Sequence, residues 1–201
     1  SINYYEQLSL FKGLLESKDE KIFKNKSPTL LFIGRLTKVK KIDRLIKATI
    51  ILNKKSRYNL LIIGDGEMRD ELETQAKELI ENNSCIFYGE CYDEKELSKL
   101  IYNADLTVSP GNVGLTSIHS LSFGTPVCSH SNYNNQMPEV ESIINGVNGF
   151  LFEEDNIDSM VAEISSWFGK AIPIDKIKIR DLIDKKYNPK FQEKIILKAI
   201  K

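Results

Sequence analysis

Apolar runs of strand length alternate with stretches of helical period along this chain, the pattern of βα units laid around a parallel sheet. Thr29 to Ile33 reads as a buried strand ending at Gly34-Arg35; Ile42, Leu45, Ile46, Thr49 and Ile50 then recur at helical spacing and predict a helix over about 41 to 54. Asn59 to Ile63 repeats the strand, Gly64-Asp65-Gly66 the turn, and Met68, Leu72, Ala76, Leu79 and Ile80 the apolar stripe of a second helix. Cys85 to Tyr88 gives a third strand closed by Gly89, and Leu97, Leu100 and Ile101 mark a short helix after it. Leu106 to Val108 is the fourth strand and runs into Ser109-Pro110-Gly111, where Pro and Gly both oppose continuation. A helix over about 114 to 123 follows, then the strands Pro126 to Ser129 and Phe150 to Phe152, and a helix from Ile157 to Phe168.

Beyond Trp167 the pattern is helical only, with Ile174 to Ile183 and Phe191 to Ile200 read as surface helices packed on the domain. The opening segment Ile2 to Leu15 is also helical, and its face of Tyr5, Leu8, Phe11 and Leu15 suits either this domain or a partner domain. The expected class is therefore α/β: a doubly wound, mostly parallel six-stranded sheet with helices on both faces, followed by C-terminal helices. The chain divides into a helix and linker at 1–27, the sheet domain at 28–168 and the closing helices at 169–201. Ligands of such sheets sit at the carboxyl ends of the strands where the topology reverses. The turns at 34–41, 64–67, 89–93 and 109–116 are thus the places for chemistry.

A length of 201 residues suits one well-buried domain, and 41% hydrophobic with 28% charged residues is ordinary globular composition. Lys plus Arg and Asp plus Glu each number 28, so no global field draws nucleic acid or anionic lipid, and any anion site is local. Cys85, Cys91 and Cys128 form no C-x-x-C pair, and with only His119 and His130 beside them they match no structural zinc spacing; a reduced, cytoplasmic chain follows. No apolar run approaches the ~20 residues of a membrane span. A start at Ser1, with no basic segment ahead of an apolar core, shows no signal peptide and fits a fragment of a longer protein.

Arg35, Lys38, Lys40 and Lys41 crowd the turn after the first strand, at a helix start where the dipole disfavours cations. Two readings stand, a solvated charge run and an anion site in which a guanidinium grips phosphate at two points. In Ser109-Pro110-Gly111-Asn112-Val113-Gly114-Leu115-Thr116, free backbone N–H groups before a helix form either a structural turn or a phosphate cradle, with Gly111 and Gly114 leaving room for a ligand. His119, about one turn into that helix, is a structural imidazole or a ligand contact that donates one hydrogen bond and accepts another. His130 has no partner pattern. No G-x-S-x-G elbow, no G-x-x-x-x-G-K-[ST] loop and no G-x-G-x-x-G turn is present, which removes the hydrolase, P-loop and dinucleotide classes. A phosphoacceptor receiver needs acids where Gly34-Arg35 and Gly89 stand.

The order Gly34-Arg35-Leu36 with Lys40, then Leu61-Ile62-Ile63-Gly64-Asp65-Gly66, Phe87-Tyr88-Gly89, Ala104-Asp105-Leu106, Ser109-Pro110, Gly114-Leu115, Phe123-Gly124-Thr125-Pro126-Val127, Pro138-Glu139 and Asn145-Gly146-Val147-Asn148-Gly149-Phe150 resembles the nucleotide-sugar-binding C-terminal half of family 4 (group 1) glycosyltransferases of the GT-B fold. The resemblance covers roughly 28 to 168 and makes that segment the donor-binding domain, preceded by a linker from a missing N-terminal domain. It implies retaining transfer of a sugar from a nucleotide diphosphate sugar to an acceptor hydroxyl, without cofactor or metal. Gly34, Arg35 and Lys40 would hold the diphosphate, with Arg35 and Lys40 stabilising the leaving charge. Gly111, Gly114, Leu115 and Thr116 would meet the same phosphates from the helix side, and the turn at Glu90 and Cys91 would lie beside the base.

One departure stands out. Family members carry two glutamates eight positions apart, where this chain has Gly111 and His119. The second takes the ribose hydroxyls, and His119 retains at most one acceptor for them. The first lies near the sugar, and Asn112 is the closest polar substitute. Either a transferase has an altered sugar pocket, or a binding or partner module has kept the phosphate clamp without turnover. In both the fragment alone is inactive. The implied acceptor is a glycan or lipid-linked saccharide of polysaccharide biosynthesis, at the inner face of the membrane; nucleic acid is not a partner.

Overall fold

The computed structural model describes residues 3–17, 21–170 and 174–199. Its strands are β1 (Thr29–Ile33), β2 (Asn59–Ile63), β3 (Cys85–Gly89), β4 (Leu106–Ser109), β5 (Val127–His130) and β6 (Gly149–Phe152), in the order β3-β2-β1-β4-β5-β6. All neighbours are parallel, so the expected mostly parallel sheet is fully so. The helices are α1 (Tyr4–Glu16), α2 (Ile42–Asn53), α3 (Arg69–Gln75), α4 (Lys77–Glu81), α5 (Glu94–Asn103), α6 (Thr116–Ser122), α7 (Ile157–Gly169), α8 (Lys176–Tyr187) and α9 (Pro189–Ala199).

Successive strand residues feed opposite layers. Leu30, Phe32, Leu60 and Ile62 join the cluster under α2, α3, α4 and α7, while Leu31, Leu61 and Ile63 join Phe11, Leu14, Leu100 and Ile101 under α1 and α5. A third cluster sets Leu121 of α6 and Val127 of β5 against Ile179 and Ile183 of α8. Strands buried on both faces explain the near-continuous Leu and Ile runs. Full burial of each such side chain is worth roughly 1.5–3 kcal/mol, so the two layers fasten the helices to both faces of the sheet.

Several boundaries differ from expectation. The stripe from Met68 to Ile80 forms two helices that pivot at Ala76, whose φ of −88° and ψ of 5° leave the α region. Ile80, on the far side of the pivot, is 38% exposed instead of buried. Helix α6 begins at Thr116, two residues later than expected, leaving Gly114 and Leu115 in the loop. Ile2 and Ile200, the expected limits of the terminal helices, lie outside the described residues.

Candidate functional site

Between β1 and β4 the strand order reverses, so the loops leaving their carboxyl ends face each other. They touch. The Gly111 N–H donates to the Lys40 carbonyl at 3.1 Å, and Lys40 Nζ donates to the Asn112 carbonyl at 3.1 Å and to Asn112 Oδ1 at 2.9 Å. Both acceptors of one residue thus hold an ammonium against the glycine-containing loop. Lys40 is half-buried, and desolvation lowers its pKa, the condition in which a cation gains most from a neighbouring anion.

The β1 turn is locked from its other side by the β2 turn. Gly34 N–H donates to the Ile63 carbonyl at 3.0 Å and Leu36 N–H to the Asp65 carbonyl at 2.9 Å. At Gly64, with φ of +132°, a Cβ would stand 2.0 Å from the Gly34 carbonyl oxygen, so only glycine permits this approach. The third turn closes in as well. Tyr92 is hydrogen-bonded to Glu90, which raises its pKa, and lies within electrostatic reach of the exposed Arg35.

Of the four basic residues in the β1 turn, Lys41 is not available to a ligand. It takes a left-handed conformation at the start of α2, and its Nζ lies 2.9 Å from Glu154 Oε1 and 2.6 Å from Asp155 Oδ1. Lys41 and the amides of Asn135 and Asn132 hold the Glu154 carboxyl down to about 2. Arg35, Lys38 and Lys40 have no carboxylate partner among the described residues.

The two loop glycines serve different ends. A Cβ at Gly111 would meet the Val39 carbonyl oxygen at 2.2 Å and Lys40 Cα at 2.9 Å, so its missing side chain makes room for the neighbouring loop, correcting the expected role of admitting a ligand. Gly114 faces open space. The N–H groups of Gly114, Leu115 and Thr116 donate to no protein acceptor among the described residues. Leu115 is exposed, and the seven-residue α6 behind it supplies a shorter dipole than the expected ten residues. Gln136 braces the loop, accepting from the Val113 N–H at 2.8 Å while donating to Ser129 Oγ and to the His130 carbonyl.

Cys91 turns inward. Its thiol packs on the α1 and α5 layer and approaches the Asp93 carbonyl at 3.7 Å, and burial raises its pKa, so this turn offers a ligand its backbone and Tyr92. Asn112 is likewise engaged, holding Lys40, where a free polar substitute near a sugar was expected. His119 Nε2 lies 2.6 Å from Glu94 Oε1, an ion-pair distance without an aligned hydrogen bond. Glu94 escaped the sequence reading because an acid beside the Asp93 N-cap looks like an ordinary helix start. Glu154 and Asp155 were missed too, being more than 110 positions from Lys41. No group of three or more His, Cys, Asp or Glu side chains suited to a metal occurs among the described residues, and no helix among them is long and apolar enough to cross a membrane.

The family model for glycosyl transferases group 1 matches residues 15–178. An uncharacterised glycosyltransferase of Methanocaldococcus jannaschii is 28% identical over 172 residues, covering 84% of this chain and 42% of that protein. The fold is similar to that of the lipopolysaccharide outer core galactosyltransferase WaaB in its apo form, with a TM-score of 0.73, 19% identity and coverage of 89% of this chain and 51% of that one. It is also similar to Anabaena HepE in complex with UDP, with a TM-score of 0.69, 18% identity and coverage of 99% and 53%. The chain spans about half the length of these structures, and less than half of the archaeal relative.

Proposed function

The chain belongs to the group 1 glycosyl transferases, and we propose that it is the donor-binding half of a retaining enzyme that moves a sugar from a nucleoside diphosphate to an acceptor hydroxyl. The observation that carries this reading is the contact between the two loops at the topology reversal, with Lys40 held against residues 111 and 112 and Arg35 exposed in the same turn. As the glycosidic bond to the donor breaks, negative charge grows on the β-phosphate oxygen. Arg35 and Lys40 neutralise it, Lys40 from a half-buried setting where such interactions count for more than in water. The free N–H groups at 114–116 add donors to the same phosphates.

No carboxylate can stand at position 111 in this backbone, because the Val39 carbonyl occupies the space of a Cβ. The substitution of both family glutamates supports a second reading, a module that binds the nucleotide sugar without turning it over. In either case the acceptor, a glycan or lipid-linked saccharide, is held by a further domain of the kind that forms the rest of the longer relatives. The free thiols fit a reducing cytoplasmic setting, at the inner membrane face if the acceptor is lipid-linked.

A thermal-shift panel of UDP, GDP, ADP and CMP with their sugar conjugates tests the binding, since a ligand raises Tm by mass action. UDP is the first probe because HepE binds it. Arg35→Ala and Lys40→Ala should each weaken the best diphosphate about tenfold to a hundredfold, the loss of a charge-assisted contact. Stabilisation of the parent by none of the panel would sink the proposal. If the full-length protein binds a donor yet releases no nucleoside diphosphate, the non-catalytic reading stands instead.

A further inference from the structure

At the position where the family pattern has its second glutamate this chain has an imidazole, and a carboxylate has come to it from another loop. Glu94 opens α5, fixed there by the Asp93 N-cap, whose side chain accepts from the Lys95 and Glu96 N–H groups. Its Oε1 lies 2.6 Å from His119 Nε2 on α6, 25 positions away in the chain. Both side chains are about one-fifth exposed, at the start of α5 and in the first turn of α6, beside the turns that leave β3 and β4. The Phe123 ring, tilted against the imidazole at 5.4 Å between centroids, limits where His119 can swing.

His119 Nε2 is fully covered, and its approach to Glu94 Oε1 falls short of an aligned hydrogen bond. Apart from this approach, Glu94 makes no hydrogen bond or ion pair among the described residues. A carboxylate has two oxygens and about four lone-pair sites, and His119 faces only one of those oxygens. Two adjacent ring hydroxyls are donors spaced to use what remains. We infer that Glu94 accepts hydrogen bonds from the ribose hydroxyls of the bound nucleotide, with His119 as the residue that positions it; this rests on the nucleotide-sugar reading above. The carboxylate is thus kept in the crevice while its point of attachment moves from α6 to the start of α5.

The test is titration calorimetry of the 201-residue chain with UDP, GDP and ADP, each beside its 2′-deoxy and 3′-deoxy counterparts. The parent should prefer the ribose form about tenfold or more over either deoxy form, as expected for hydrogen bonds to a charged group. Glu94→Gln, nearly isosteric and still able to start the helix, should erase that preference by weakening the ribose form alone. Because the readout is a ratio, a general change in charge near the diphosphate cancels. Adding His119→Glu to Glu94→Gln should restore the preference by returning the carboxylate to α6. A preference that survives Glu94→Gln, or ribose and deoxy forms that weaken equally, overturns this inference while leaving the nucleotide reading intact. A parent that binds no diphosphate at all overturns both.

Discussion

A methyl group at position 111 would press on the Val39 carbonyl at 2.2 Å, whereas one at position 114 would meet nothing within 4 Å. Gly111→Ala must therefore part the two loops, break the Gly111 N–H bond to the Lys40 carbonyl and shift Lys40 from Asn112. We expect a loss of about 1–3 kcal/mol in urea unfolding, the usual scale of overpacking, and at least about tenfold in nucleoside diphosphate affinity. Gly114→Ala should stay within about 0.5 kcal/mol of the parent, as substitutions away from packed features do. Equal effects at the two positions would refute the steric account. The glycine at 111 was visible in the sequence as a missing carboxylate, but its cause lies in backbone some 70 positions earlier, which no local pattern records. Lys40 was legible for the opposite reason, since its distance from Gly34 is local. Lys41 looked its equal until Glu154 and Asp155 arrived from the end of the sheet.

At the scale of elements, short apolar runs located every strand, most plainly β1 and β2, whose near-complete burial writes itself as an unbroken run, and less plainly the partly exposed edge strand β3. Periodicity failed at the pivot between α3 and α4, where neither Gly nor Pro marks the break at Ala76. It also concealed a partly buried cation. Lys176, at the first position of α8, sends its Nζ inward to the Ala104 carbonyl and Thr125 Oγ1, both at 3.3 Å, with the Tyr102 ring 4.9 Å away. Desolvation lowers its pKa from 10.5 to about 8, against the opposing pull of Asp105. Between those values the unfolded chain binds the proton and the folded chain does not, so this residue's contribution to stability rises as pH increases from about 8 to 10.5. The span corresponds to about 3 kcal/mol at 1.36 kcal/mol per pH unit. Lys176→Met should remove the burden, and the gap between its urea stability and the parent's should be widest near pH 7 and shrink toward pH 10. Curves that stay parallel would place this ammonium in water.

The molecule as a whole is organised by one reversal of strand order, and the alternation of βα units made that legible before any contact was known. What alternation could not supply is the stitching of the sheet's carboxyl edge, which joins residues from distant units. Glu154, just past β6, accepts from Lys41 at the start of α2 and from Asn132 and Asn135 after β5, with His130 Nε2 3.9 Å away. His130 is buried, which lowers its pKa, while Glu154 is held to about 2. Both shifts act in the same direction. Below about 6.5 the unfolded histidine takes up a proton that the folded one resists, and below 4.5 the unfolded glutamate does so ahead of the folded one; each makes stability fall with pH. The unfolding free energy should accordingly decline in two stages, one starting near pH 6.5 and one from about 4.5 toward 2. Comparing the parent with Glu154→Gln and His130→Gln separates them: the first variant should flatten the lower stage and deepen the upper, because the Glu154 charge holds the His130 pKa up, and the second should remove the upper stage while leaving most of the lower. Since Lys41 adjoins Lys40, the lower stage should also loosen the β1 turn. A diphosphate present during acid unfolding should therefore protect the parent more than Glu154→Gln, and equal protection would detach this edge from the site.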